Sequence, residues 1–193
     1  MDNNIQKITN LLFEVGTLRK VARSHRQTLL TNDLTDNIAT HSYRVAFIGY
    51  ILAKMERADS NKVLAMCLLH DLPEARSGDQ NWVHKKYVKV FEEEIIKEQL
   101  GQLNETKELF EFAKEYNKRE SKEAKLAKDA DLIDQIILLR EYEWIGNQEA
   151  AIWLKGQERY KKIWSKSGKK IAKEIIKTKP SSWWNKFWTA ERR

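Results

Sequence analysis

The chain has 193 residues, with 35 Lys and Arg against 28 Asp and Glu, so its formal charge is +7 at pH 7. This length suits one domain with an appendage. A hydrophobic fraction of 41%, with seven Gly and two Pro, excludes disordered, collagen-like and low-complexity classes. No apolar run approaches the roughly eighteen uninterrupted residues of a membrane-spanning helix, which excludes that class as well.

The compartment and the placement of charge also follow from simple counts. The single cysteine, Cys67, cannot form an internal disulfide, and the N-terminus lacks the layout of a secretory signal, so we expect a cytoplasmic protein. Residues 151–193 carry thirteen Lys and Arg against three Asp and Glu, a local charge of +10 that leaves −3 for residues 1–150. An argument for polyanion binding therefore concerns only the C-terminal segment.

Apolar residues recur at three- and four-residue spacings along most of the chain, and no segment shows sustained alternation, so the predicted fold class is all-α. The first predicted helix spans residues 5–21, and a polar loop follows over residues 22–37. The next helix begins near Ile38. The apolar residues of these two helices are Ile8, Leu11, Leu12, Val15 and Leu18 in the first and Tyr43, Phe47, Tyr50 and Ile51 in the second.

The second half of the predicted fold begins with a short helix capped by Asp59 or Ser60. This helix should end near Leu72, because Pro73 disfavours the α conformation in the residue before it. Gly78 marks a turn. The pattern of residues 87–117 predicts one or two helices interrupted near residue 101, and a long helix is predicted over residues 121–145. The inward residues of the short helix are Val63, Leu64, Cys67 and Leu68.

The predicted organisation is a helical bundle over residues 1–150 and a basic, Trp-rich helical appendage over residues 151–193. Five of the seven tryptophans lie in this appendage, at positions 153, 164, 183, 184 and 188. A fully exposed WWNKFW tail would invite aggregation, so we expect the appendage to pack on the domain or on a partner subunit.

The sequence CLLHDLPEA places His70 and Asp71 at the end of an apolar helix. Both side chains lose hydration when turned inward, and a divalent cation bound between them would offset that cost. His41 and one aspartate of the long helix would complete four ligands with coordination positions left open, which is typical of a catalytic site. Glu74 would then serve as the general acid or base, or orient the attacking water. The candidate aspartates are Asp129, Asp131 and Asp134, and spacing alone does not separate the last two, which share one helix face.

The segments IATHSYRVA, LLHDLPEARSGD and AKDADLIDQI resemble the HD-domain metal-dependent phosphohydrolases, and within them the bacterial 5'-deoxynucleotidases and the HD-domain-containing 2 proteins. The resemblance covers roughly residues 8–142. It implies an HD-domain helical bundle that forms a homodimer and hydrolyses deoxyribonucleoside 5'-monophosphates with one divalent metal ion, for which Mn, Co, Mg, Zn and Fe are candidates. The implied residues are His41, His70, Asp71 and Asp131 as ligands, Glu74 as catalytic carboxylate, and Asp79 as a carboxylate that binds substrate or holds water.

The loop before the first ligand departs from the family pattern, in which this loop carries an Arg and a Trp that recognise phosphate and sugar. It reads ARSHRQ, which offers Arg23 or Arg26 for bidentate phosphate binding but no Trp. Two enzymatic hypotheses follow: a nucleotidase acting on (deoxy)nucleoside 5'-monophosphates, and an HD hydrolase of another small phosphate ester or nucleotide. His25 is read as a surface residue, with stacking in place of the missing Trp as the alternative. His84 follows the HD motif closely, so facing the substrate pocket and lying outside it are both open for this side chain.

A third hypothesis is a non-catalytic module whose basic tail binds nucleic acid or a membrane. The intact ligand set argues against it. We therefore expect a small-molecule nucleotide as substrate, a homodimer, and no stable nucleic-acid or membrane partner.

Overall fold

The computed structural model describes residues 3–156, 158–187 and 191. The regular elements of these residues are helices, with an isolated antiparallel bridge between Ala22 and Asn37, which confirms the predicted all-α class. Trp188 of the predicted tail lies outside the described residues. The α-helices are α1 (Asn3–Thr17), α2 (His25–Leu29), α3 (Ile38–Glu56), α4 (Ser60–Leu69), α5 (Glu74–Ser77), α6 (Trp82–Tyr87), α7 (Glu92–Leu100), α8 (Lys107–Lys118), α9 (Lys122–Trp144), α10 (Gln148–Lys155), α11 (Glu158–Lys162) and α12 (Lys166–Lys177). Short 3-10 helices cover Leu18–Lys20, Asn104–Thr106 and Ser182–Phe187.

Helices α3, α4 and α9 pack around the main hydrophobic core, in which Leu52 and Ile133 are fully buried. Gly49 allows α3 to approach α4 closely, because a β-carbon at this position would lie 2.4 Å from the Cys67 Sγ. The turn that follows α4 carries His70. The close packing of α3 on α4 therefore brings α3, which carries His41, near the turn that carries His70.

Side-chain caps fix where the central helices begin. Asn37 takes part in a capping box at the start of α3. Asp59 caps α4 as predicted, and Ser121 caps α9 at the predicted start of the long helix. The end of α4 differs from the prediction: the helix stops at Leu69, because the chain turns there before Pro73, which directly precedes α5.

Some predictions about the first half of the chain are wrong. Residues 22–37 are not all loop, since they contain α2. Helix α1 ends at Thr17 and buries none of its residues, and Leu68, predicted to point inward, is 48% exposed. On α3, Tyr43 and Phe47 are exposed while the opposite face is buried. Apolar residues occupy both faces of α3, so periodicity identified this helix without selecting its buried side.

The C-terminal helices pack against α9. Ile163 and Ala172 are buried in the main core. The Asp129 carboxylate accepts the backbone N–H groups of Trp164 at 2.8 Å and Ser165 at 2.7 Å, which holds the start of α12 on α9. The predicted division near residue 150 stays a prediction. Among the described residues, no helix has the length and apolar character needed to cross a membrane.

Candidate active site

The four residues predicted as metal ligands converge from three helical regions. His41 comes from α3, His70 and Asp71 from the turn after α4, and Asp131 from α9. The His41 Nε2 lies 3.1 Å from the His70 Nε2, 3.4 Å from the Asp71 Oδ2 and 3.3 Å from the Asp131 Oδ1. The His70 Nε2 lies 3.1 Å from the same Asp71 oxygen. We call this group the His41 centre.

The hydrogen bonds behind the two imidazoles show that the His41 centre fits a metal ion. The His41 Nδ1 lies 2.6 Å from the Asp134 Oδ2, and the His70 Nδ1 lies 2.7 Å from the Cys67 carbonyl oxygen. Because these acceptors take the Nδ1 hydrogens, the two imidazoles in their neutral, metal-binding form would direct both Nε2 lone pairs toward each other. A cation bound between them removes that repulsion and offsets the carboxylates. His41, His70 and Asp71 together form a group able to hold a metal ion.

The charges around the His41 centre also favour a cation. Burial and the charge of Arg23 lower the pKa of His41, but hydrogen bonds to Asp131 and Asp134 outweigh them and raise this pKa to about 9. Lys128 pairs with the outer oxygen of Asp131 at 2.5 Å. The centre therefore attracts positive charge even though basic side chains already lie beside it.

Asp134, the alternative ligand of the sequence analysis, lies behind His41 instead of facing the shared point. Its Oδ2 accepts the His41 Nδ1 hydrogen and its Oδ1 accepts a hydrogen bond from the Arg44 Nε. Arg44 also donates to Glu141 at 2.9 Å. These contacts behind His41 fix its ring orientation. The spacing of Asp131 and Asp134 could not reveal the difference, because it depends on where His41 approaches α9.

A cavity of about 470 Å³ opens beside the His41 centre, and we call it the Arg23 cavity. The Arg23 guanidinium is buried there, and its Nε and Nη1 have no hydrogen-bond partner. The Arg23 Nη1 lies 3.6 Å from the Asp71 Oδ2, and the Arg23 Nε lies 3.7 Å from the Asp79 Oδ2. Although burial opposes the charge, these aspartates raise the pKa of Arg23 above its ordinary value. A buried, charged guanidinium with unused donors suits an oxyanion.

Glu74 and Asp79 line the same cavity. The Glu74 Oε2 is buried without a hydrogen-bond partner. Burial raises the pKa of Glu74 most, and the negative charges of Asp71 and Asp79 add to this effect, so that the pKa reaches about 10. Asp79 follows Gly78, whose φ of +69° makes the turn. The Asp79 Oδ2 accepts the backbone N–H of Ser24 at 2.7 Å. Asp79 therefore ties its own segment to the loop that carries Arg23.

Three other candidates from the sequence lie differently. Arg26 and His84 are not among the residues that line the Arg23 cavity. The surface position read for His25 is wrong: the side chain is buried and its Nε2 lies 2.7 Å from the Asp36 Oδ2. The polar sequence around His25 gave no sign of α2, which turns this side chain inward.

Two further cavities adjoin the His41 centre. One, of about 450 Å³, shares Asp71, Glu74 and Asp131 with the Arg23 cavity and adds Lys89 and Arg119; we call it the Arg119 cavity. The other, of about 700 Å³, lies on the Asp134 side of His41 and is lined by none of the other three predicted ligands. The Arg23 cavity and the Arg119 cavity are therefore the two that open onto Asp71, Asp131 and Glu74.

The chain is similar to known proteins in both sequence and fold. An HD domain family model matches residues 15–176. The 5'-deoxynucleotidase HDDC2 of Dictyostelium discoideum is 32% identical over 124 residues, which cover 58% of this chain and 65% of that protein. The human 5'-deoxynucleotidase HDDC2 is 31% identical over 137 residues, which cover 67% of this chain and 65% of that protein.

The chain thus aligns with 65% of the length of each of these two relatives. The solved structure of a conserved hypothetical protein from Pyrococcus furiosus has 29% identity and a TM-score of 0.71, over 88% of this chain and 99% of that one. The chain belongs to the HD domain family.

Proposed function

We propose that this protein is a metal-dependent phosphomonoesterase that hydrolyses (deoxy)nucleoside 5'-monophosphates to nucleoside and phosphate. The observation that carries the proposal is the meeting of two imidazole nitrogens and two carboxylates beside the buried guanidinium of Arg23, whose Nε and Nη1 have no hydrogen-bond partner. The first group suits a divalent cation and the guanidinium suits a phosphate. The names of the similar 5'-deoxynucleotidases support a nucleotide as the substrate.

In this proposal the ligands of the cation are His41, His70, Asp71 and Asp131. Mixed nitrogen and oxygen ligands suit Mn, Co, Fe or Zn, and Mg remains a candidate. A divalent cation held there supplies positive charge to the phosphoryl oxygens and lowers the pKa of water.

The residues of the Arg23 cavity carry the remaining steps. Arg23 binds the phosphate oxygens through its two unpartnered donors. Positive charge bound at the His41 centre would offset the neighbouring aspartates and lower the pKa of Glu74, leaving it as a carboxylate. Glu74 then accepts a proton from the attacking water as the water oxygen bonds to phosphorus and the phosphorus–oxygen bond to the nucleoside breaks, and it returns that proton to the leaving nucleoside oxygen. Asp79 holds the Arg23 loop and borders the substrate. The products are one nucleoside and one phosphate for each water consumed.

A phosphate-release screen tests the proposal. Ribo- and deoxyribonucleoside 5'-monophosphates are incubated with the protein and Mn²⁺, Co²⁺ or Mg²⁺, beside Asp71→Asn and the exposed control Glu111→Gln. We expect release by the wild type and by the control, with metal content and activity both lost in Asp71→Asn. Turnover of no monophosphate, together with unchanged metal content in Asp71→Asn, contradicts the proposal.

The two loop arginines provide a matched test of phosphate binding. Arg23→Ala should lower kcat/KM by about 10- to 100-fold, because it removes charge-assisted hydrogen bonds. Arg26→Ala should change kcat/KM little, since Arg26 does not line the Arg23 cavity. Equal losses in the two variants would contradict the assignment of Arg23.

A second candidate substrate class is a larger phosphate ester or nucleotide. The observation that favours it is the Arg119 cavity, where Lys89 and Arg119 line space on the other side of Glu74 and Asp131. The screen therefore includes nucleoside diphosphates and sugar phosphates. Faster release from these than from monophosphates selects the second candidate.

The proposed assembly is a homodimer in the cytoplasm, without a stable nucleic-acid or membrane partner. Exposed apolar side chains on α1 and α3, among them Phe13, Tyr43 and Phe47, support an interface between two copies. Light scattering on the purified protein measures the mass directly. A monomer at micromolar concentration contradicts this part of the proposal.

A further inference from the structure

Trp82 lies at the edge of the Arg23 cavity, where α6 begins. It lines the cavity together with Arg23 and Asp79, and it is 54% exposed. The ring of Trp153 on α10 contacts it, with the two ring centroids 4.7 Å apart and the planes inclined by 48°. A partly exposed indole supported by a second indole thus lines a cavity whose other lining residues are polar, apart from Leu132.

Hydrogen bonds fix the backbone position of Trp82 relative to the Arg23 loop. The buried Asn81 side chain caps α6, accepting from the backbone N–H groups of Val83 at 2.9 Å and His84 at 3.1 Å. The same side chain donates to the Ser24 carbonyl oxygen at 3.2 Å. Residues on both sides of the cavity are therefore held together through Asn81. A ring placed in this way loses little conformational freedom when a ligand stacks on it.

The direction of a bound substrate follows from the position of its phosphate. With the phosphate between the His41 centre and Arg23, the rest of the molecule extends through the Arg23 cavity toward its edge. Of the described residues that line this cavity, the aromatic rings are those of Trp82 and His25. His25 is buried and paired with Asp36, so the exposed ring surface is that of Trp82.

We propose that Trp82 is the base-binding residue of this site, and that the nucleobase of a nucleoside 5'-monophosphate stacks on its indole. This inference rests on the proposed function for its substrate class. Stacking on an indole accepts every base, with larger rings favoured, so purine nucleotides should bind better than pyrimidine nucleotides.

The test compares substrates with and without a base. Trp82→Ala should lower kcat/KM for purine nucleoside monophosphates by about 5- to 150-fold, mostly through a higher KM, because stacking stabilises substrate and transition state alike. Hydrolysis of ribose 5-phosphate, which has no base, should be unchanged. Trp82→Phe should retain part of the effect, and Trp82→Leu should resemble Trp82→Ala while keeping apolar contact with Trp153. Trp183→Ala, at an exposed tryptophan that does not line the cavity, is the matched control.

A binding measurement keeps this inference separate from the proposed function. Saturation-transfer NMR with adenosine, which has a base and no phosphate, should show strong saturation of the base protons in the wild type and loss of it in Trp82→Ala. This result supports base binding even if no phosphomonoester is hydrolysed, in which case only the proposed activity fails. An equal loss of kcat/KM for ribose 5-phosphate and for nucleotides shows a structural role and overturns the inference. Unchanged nucleotide kinetics and adenosine binding in Trp82→Ala also overturn it.

Discussion

Replacing Gly49 with alanine tests whether the close approach of α3 and α4 controls both stability and the His41 centre. A β-carbon at this position would lie 2.4 Å from the Cys67 Sγ and 3.1 Å from the Val63 Cγ1, whereas ordinary contacts between carbon atoms are about 3.5–4.0 Å. Overpacking of a core costs about 1–3 kcal/mol, and alanine gains about 1 kcal/mol over glycine in a helix. The shorter contact places the cost near its upper value. We expect a net loss of about 2 kcal/mol, or about 4–8 °C in Tm.

The assay is urea unfolding of the wild type, Gly49→Ala, Cys67→Ala and the double variant. Cys67→Ala removes the sulfur that the new methyl group would meet, so the double variant should recover about 1 kcal/mol relative to additivity. Manganese affinity, measured by titration calorimetry, should fall in Gly49→Ala, because His41 and His70 are held by the two helices that must separate. The reasoning is refuted if Gly49→Ala is as stable as the wild type, or if the two substitutions are additive.

Other substitutions test contacts around the same core. Asp134→Asn should lower metal affinity by about 10- to 100-fold in calorimetric titration, since it weakens the contact that orients His41; unchanged affinity would contradict that role. Asp129→Ala should cost about 2–4 kcal/mol in urea unfolding and speed hydrogen exchange in α12, because it leaves two backbone N–H groups unpaired; equal exchange in the two proteins argues against the anchor. Burial, with a contribution from a nearby aspartate, raises the pKa of the Cys67 thiol, so Ellman's reagent should modify it only after unfolding, and rapid modification of the native protein would be inconsistent with its burial.

Local signals account for much of what the sequence predicted. Asp59 and Ser121 cap the helices they were expected to begin, because capping depends on residues within one turn. The convergence of His41, His70 and Asp71 followed from a chemical argument about a buried His–Asp pair. The choice of Asp131 came from the family resemblance, and the structure places its carboxylate against His41.

The remaining features depend on contacts between distant segments. Asp134 meets His41 only because α3 crosses α9 at that residue, and Arg44 completes the contact one turn later on α3. Trp82 follows the motif in a stretch with no marked periodicity, and the role proposed for it depends on its contact with Trp153 of α10. Tyr43 was an apolar residue at a helical spacing, yet it is 65% exposed, because the smaller residues of α3 pack inward.

The distribution of the His41 centre along the chain affects how folding would respond to metal supply. Its members come from positions 41, 70–71 and 131, so an unfolded chain could gather them only by closing two long loops, at an entropic cost that grows with the logarithm of loop length. A cation would then bind the native protein almost exclusively. Each tenfold excess of free metal over its Kd would add about 1.4 kcal/mol to the free energy of unfolding. A cell short of that metal would therefore hold a larger unfolded fraction of the protein, which is open to degradation.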